Sequence, residues 1–69
     1  MEQTSYVIYK ILTETPLKKA PSFSAETLDM LSRNRLVRCF DDSGEWLVTA
    51  YGYIQKADCV FAFIYDDET

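Results

Sequence analysis

Asp41-Asp42-Ser43-Gly44-Glu45-Trp46-Leu47-Val48, followed shortly by Gly52-Tyr53-Ile54, is the stretch on which the reading of this chain turns. A polar turn ends one apolar strand pattern and opens another. Asp and Ser side chains bond nearby backbone, and Gly44 can take a positive φ without a Cβ penalty. Before the turn, Leu36-Val37-Arg38-Cys39-Phe40 reads as a strand. After it, Glu45 to Ala50 returns, with Trp46, Val48 and Ala50 on one face and Leu47, Thr49 and Tyr51 on the other. Tyr51-Gly52 marks the next tight turn, and Tyr53-Ile54-Gln55 a further short strand.

Toward the N-terminus, Tyr6-Val7-Ile8-Tyr9-Lys10-Ile11-Leu12 is rich in β-branched and aromatic residues and reads as a strand. Both of its faces are apolar, so both need cover. Thr13-Glu14-Thr15-Pro16 is expected to end it, because Pro16 has no N–H for a ladder. Leu17-Lys18-Lys19 reads as a short edge segment and Ala20-Pro21-Ser22-Phe23-Ser24 as a loop. Ser24 to Asn34 has two readings. One is a helix capped by Ser24, with Ala25, Leu28 and Leu31 at helical spacing. The other is a strand with Leu28 and Met30 inward and Asp29 and Leu31 outward. Ser32-Arg33-Asn34-Arg35 turns the chain. Toward the C-terminus, Lys56-Ala57-Asp58 fits one turn of 3₁₀ helix. Cys59-Val60-Phe61-Ala62-Phe63-Ile64-Tyr65 is the last strand, with the N-terminal strand as its natural partner. Short strands punctuated by turns define an all-β class and a small barrel of five to seven strands with the terminal strands paired.

The totals bound the rest. Sixty-nine residues make one domain, and 48% hydrophobic content supplies a core. Eleven acidic against seven basic residues leave a net charge of −4, which disfavours nucleic acid and anionic membranes as partners. The segment Met1 to Ser5 has no basic n-region, no run is long enough to span a bilayer, and a cytoplasmic location is expected. Cys39 and Cys59 do not make a zinc pattern and are expected to be small buried apolar residues. The chain has no His, which removes the usual general base, and no Gly-rich phosphate loop. No enzyme activity, cofactor or metal is expected.

In order, Leu17-Lys18-Lys19-Ala20-Pro21-Ser22, the apolar pair Leu28 and Leu31, the strand Leu36 to Phe40, Asp42-Ser43-Gly44-Glu45-Trp46 and Gly52-Tyr53-Ile54 resemble the bacterial SH3-like domain family. The resemblance runs over residues 17–59 of a single domain, 1–69. It implies an SH3-like barrel, favours loop plus strand over helix for Ser24 to Leu31, and implies peptide recognition, in its usual form of cell-wall peptide. The chain departs from the family pattern in three places. Trp46 to Gly52 is shorter than usual, so the hairpin there must be clipped. The turn Ser32–Arg35 lacks the usual Gly. Thr49 stands where the family carries a core Val.

Trp46 and Tyr53 are the leading site candidates, since rigid aromatic faces give contact area at low entropy cost. Phe23 and Tyr51 extend the groove from neighbouring loops, and Asp42 and Glu45 flank Trp46 to receive basic groups. The competing readings are a core or rim Trp46, a Phe23 folded back onto the barrel, and a solvated acidic turn. Arg33, Arg35 and Arg38 can grip a carboxylate or a phosphate, against the plainer reading of an exposed sheet face. The function these features imply is non-catalytic binding of a protein or peptide, as a small adaptor or regulatory subunit. The alternative is an acidic stand-alone mimic, of phage or plasmid type, that blocks a basic site. The strands Tyr6–Leu12 and Val60–Tyr65 offer apolar surface for a homodimer.

Overall fold

A computed structural model describes residues 4–67 of the chain. It is all-β, with seven strands in two antiparallel sheets. The strands are β1 (Thr4–Ile11), β2 (Thr15–Lys18), β3 (Thr27–Leu31), β4 (Leu36–Cys39), β5 (Trp46–Val48), β6 (Tyr53–Gln55) and β7 (Cys59–Asp67). One sheet has the order β4-β1-β7 and the other β3-β2-β6-β5. Lys56–Asp58 forms a single 3₁₀ turn, as its sequence suggests. The terminal strands do pair, from Thr4 opposite Asp67 to Ile11 opposite Cys59, with an irregularity between Ile8 and Tyr9. Residues 1–3 and 68–69, and the side chains of Asp66 and Asp67, lie outside the described residues.

Each of the first six strands sends at least one apolar side chain into a shared core. Tyr9 and Ile11 come from β1, Leu17 from β2, Leu31 from β3, Cys39 from β4, Leu47 from β5 and Ile54 from β6. Leu47 and Ile54 face each other across the β5–β6 pair, which fixes the inward side of that hairpin. Thr15 is the buried polar residue of the core, and its Oγ1–H donates to Asp58 Oδ2 at 2.9 Å. That bond replaces the water a hydroxyl loses on burial. β7 contributes only the half-buried Cys59 to the core margin. Its Phe61, Phe63, Ile64 and Tyr65 are all exposed. The long β1–β7 ribbon therefore runs past the core, and the molecule measures 39 × 21 × 19 Å.

Several local expectations are corrected. Pro16 does not end a strand; it lies within β2, opposite Met30 of β3. This is tolerated because β6 runs alongside β2 only at Leu17 and Lys18, so Pro16 has a single strand neighbour. Leu17 and Lys18 are accordingly in an interior strand, not an edge. The helix alternative for Ser24 to Asn34 gives way to a strand from Thr27, with its faces inverted. Leu31 is buried while Leu28 and Met30 are about half exposed, because Leu31 is held opposite the buried Thr15. Gly44 does not take a positive φ; Asp41 Oδ1 organises that turn by accepting from the N–H and the Oγ–H of Ser43. The left-handed residue is Asn34, φ 73°, which fills the role of the Gly missing from its turn.

Thr49 clips the β5–β6 hairpin. Its hydroxyl donates to the Gly52 carbonyl at 2.8 Å and accepts from the N–H groups of Tyr51 and Gly52. Its own N–H also bonds the Gly52 carbonyl, at 2.9 Å. A valine could make only the last of these bonds, so β5 stops at Val48.

The two glycines should behave oppositely. A Cβ on Gly52 would stand 2.5 Å from the Lys18 carbonyl oxygen, whereas one on Gly44 meets nothing within 4 Å. Urea denaturation should show Gly52→Ala destabilised by more than about 1 kcal/mol and Gly44→Ala stabilised by about 0.4–1 kcal/mol. Leu47→Ala, at a fully buried site, should cost about 2–5 kcal/mol in the same assay.

Candidate functional site

The outward side of the β5–β6 hairpin carries the aromatic candidates. Trp46 stands opposite Gln55 and Val48 opposite Tyr53, so Trp46 and Tyr53 lie on one face, diagonal to each other. Phe23 comes from the loop between β2 and β3. Its ring meets the Trp46 ring edge-on, at 5.1 Å between centroids and 61° between planes. That loop is braced at several points. Lys19 N–H bonds the Glu26 carbonyl at its base, and Lys18 Nζ bonds both the Ala25 carbonyl and Thr27 Oγ1. Inside it, Ser22 and Ser24 hydroxyls are bonded to each other. Phe23 is thus presented by a held loop, although its ring is 69% exposed.

Phe23 and Trp46 wall a groove of about 340 Å³ whose other sides are Gly44, Glu45, Gln55, Lys56 and Ala57. Glu45 lines its edge. The Lys56 ammonium is drawn off, donating to the Asp42 carbonyl at 2.7 Å. The structure therefore brings Trp46, Phe23 and Glu45 together. Tyr53 shares their sheet face but does not line this groove. Tyr51 is elsewhere, at the tip of the Thr49–Gly52 turn and 81% exposed, where it borders a second cleft. Gln55, Lys56 and Ala57 escaped the sequence reading. The Trp46–Gln55 register would have shown the first of them, since a hairpin partner shares its neighbour's face.

Asp42 acts within the fold. Its Oδ2 accepts from the Tyr9 hydroxyl at 2.8 Å, linking the turn before β5 to the core strand β1. Burial, then this hydrogen bond and the Asp42 charge, push the Tyr9 phenol up to about 12. Asp41 is held below the usual carboxylate range by the Ser43 N–H and hydroxyl it accepts from. Both cysteines are free. Burial pushes the Cys59 thiol up to about 11 and raises that of Cys39, which disfavours thiolate chemistry at neutral pH. Among the described residues, no three Cys, Asp or Glu gather as a metal-ligand group. No helix there is long and apolar enough to cross a membrane.

The geometry is thus a shallow groove with an aromatic wall, edged by Glu45 and Gln55. It can hold a small apolar or aromatic side chain with a cationic neighbour. Compared with known proteins, the chain matches no family model, no curated protein and no solved structure.

The Tyr9 phenol titrates near 10.0 when unfolded and near 12 when folded. A raised folded value means its stabilisation is intact below pH 10 and lost as the pH climbs toward 12. The two thiols act with the same sign. Tyr9→Phe should cost about 1–3 kcal/mol at neutral pH. In urea denaturation across pH, its alkaline loss of stability should be shallower than that of the wild type.

Proposed function

We propose that the chain is a non-catalytic protein- or peptide-binding module built as a small SH3-like barrel, with its site in the Phe23–Trp46 groove. The barrel reading is supported by the strand order, by the paired termini and by the Asp41–Val48 bridge that joins β4 to β5. One observation carries the site: an aromatic pair held at 5.1 Å by a braced loop, half open to solvent beside Glu45. Burying both rings in the core would have satisfied stability alone. Leaving Phe23 exposed costs hydrophobic energy that a ligand can recover. The ligand in this reading packs one apolar side chain against the two rings and sets a Lys or Arg against Glu45. Glu45 supplies orientation and the rings supply affinity.

The test is capture from source-cell lysate by tagged wild type and by Trp46→Ala whose fold is verified by circular dichroism. A protein retained by the wild type and lost by Trp46→Ala supports the reading. Equal retention by both contradicts it. Glu45→Gln should weaken a captured partner about threefold to tenfold, and added salt should have only a modest effect. A steep fall with salt would point instead to the acidic-mimic function, in which the net charge of −4 does the binding.

A further inference from the structure

The two sheets meet along β4 and β5, but only in part. Phe40 N–H bonds the Val48 carbonyl at 2.8 Å, and Val48 N–H bonds the Asp41 carbonyl at 3.0 Å. Beyond Val48 the chain turns away at Thr49. β4 itself, Leu36–Cys39, has β1 on one side and no strand on the other. The Phe40 N–H points away from β1. With the two-residue period of a strand, the backbone groups of Leu36 and Arg38 point the same way. They face a cleft of about 670 Å³ between β4, β3 and the tip of the β5–β6 turn. The core side chains Leu17, Leu31 and Ile54 line it from within, and the half-exposed Leu28 and exposed Tyr51 form its walls.

We propose that the unpaired edge of β4 and this cleft form a docking site for an extended, acidic segment of a partner protein, which adds as a strand in line with β5. The site is separate from the Phe23–Trp46 groove. Two open main-chain positions at alternate residues are what a β-strand offers and accepts, and they give the added segment its direction and register. Its alternate side chains would meet Leu28, Leu31 and Tyr51.

Charge selects the occupant. The whole chain has eleven acidic and seven basic residues, yet the charged residues lining the cleft are Arg35, Arg38 and Asp29. The local sign is opposite to that of the molecule. Asp29 is partly occupied, since its Oδ1 accepts from the Met30 N–H at 2.8 Å. The Arg38 guanidinium lies 4.6 Å over the Tyr6 ring of β1, on the outer face of the sheet. Among the described residues no carboxylate pairs with either arginine. A segment with apolar residues on one side and Asp or Glu on the other satisfies both the leucine walls and the arginines.

The test is an NMR titration of amide-labelled protein with three short peptides. One alternates leucine and glutamate, one alternates leucine and lysine, and one is the first peptide with every second peptide nitrogen methylated. The proposal expects the first peptide to shift the amides of Leu36, Arg38 and Tyr51. The lysine and methylated peptides should bind roughly tenfold or more weakly, as loss of a charge pair or of main-chain bonds requires. Arg35→Glu, an exposed change that leaves the core intact, should weaken the first peptide by about tenfold. Any of four outcomes overturns the proposal: no shifts, shifts confined to Phe23 and Trp46, equal binding of all three peptides, or a β4 edge already covered by a second copy in the peptide-free protein.

Discussion

Two hydrogen bonds, from Phe40 N–H to Val48 and from Val48 N–H to Asp41, stitch the sheets together where β4 meets β5. The inward neighbours of these residues are Cys39 and Leu47, both fully buried. The bridge therefore sets how the halves of the core meet. The Tyr9–Asp42 bond crosses the same seam from the other side and ties the intervening turn to β1. The seam is short because Thr49 spends its hydroxyl on the Gly52 turn. One polar side chain thus closes the hairpin and leaves the rest of β4 without a partner.

A core of this size is near the lower limit for a domain without disulfides or metal. Its dry centre holds one or two residues per strand, and β7 adds almost nothing to it. The apolar residues of β7 are instead arrayed on a ribbon beside β1. There Tyr6 stacks with Tyr65 at 6.3 Å, and Tyr9 meets Phe61 edge-on at 6.1 Å. These contacts stiffen the ribbon without hiding it, and the edge of β7 carries neither Lys nor Pro to discourage pairing.

The strands were legible because their residues alternate or cluster by β-propensity, and the turns because Asp, Ser, Gly and Asn mark them. The terminal pairing followed from two apolar strands that needed cover. The facing of β3 was not legible. Leu28, Met30 and Leu31 are equally apolar, and only the partner Thr15 decides which of them turns inward. Pro16 misled because its effect depends on how far β6 extends, which is a matter of tertiary register. Gly44 was credited with a freedom the turn does not use, since Asp41 shapes it. Trp46, Phe23 and Glu45, grouped on sequence, line one groove in the structure. Tyr51 was grouped with them by closeness in sequence, but the clipped turn carries it to the other cleft. That cleft arises from a strand that stops early, and a missing partner leaves no mark on the residues it would have paired with.

Native-state amide hydrogen exchange of the free protein tests the seam most directly. It reads each backbone N–H singly and needs no ligand. The account predicts slow exchange at Phe40 and Val48, which bond across the sheets, and fast exchange at Leu36 and Arg38, which face the open cleft. Protection of Leu36 and Arg38 equal to that of Phe40 would contradict it, because β4 would then be covered along its whole length.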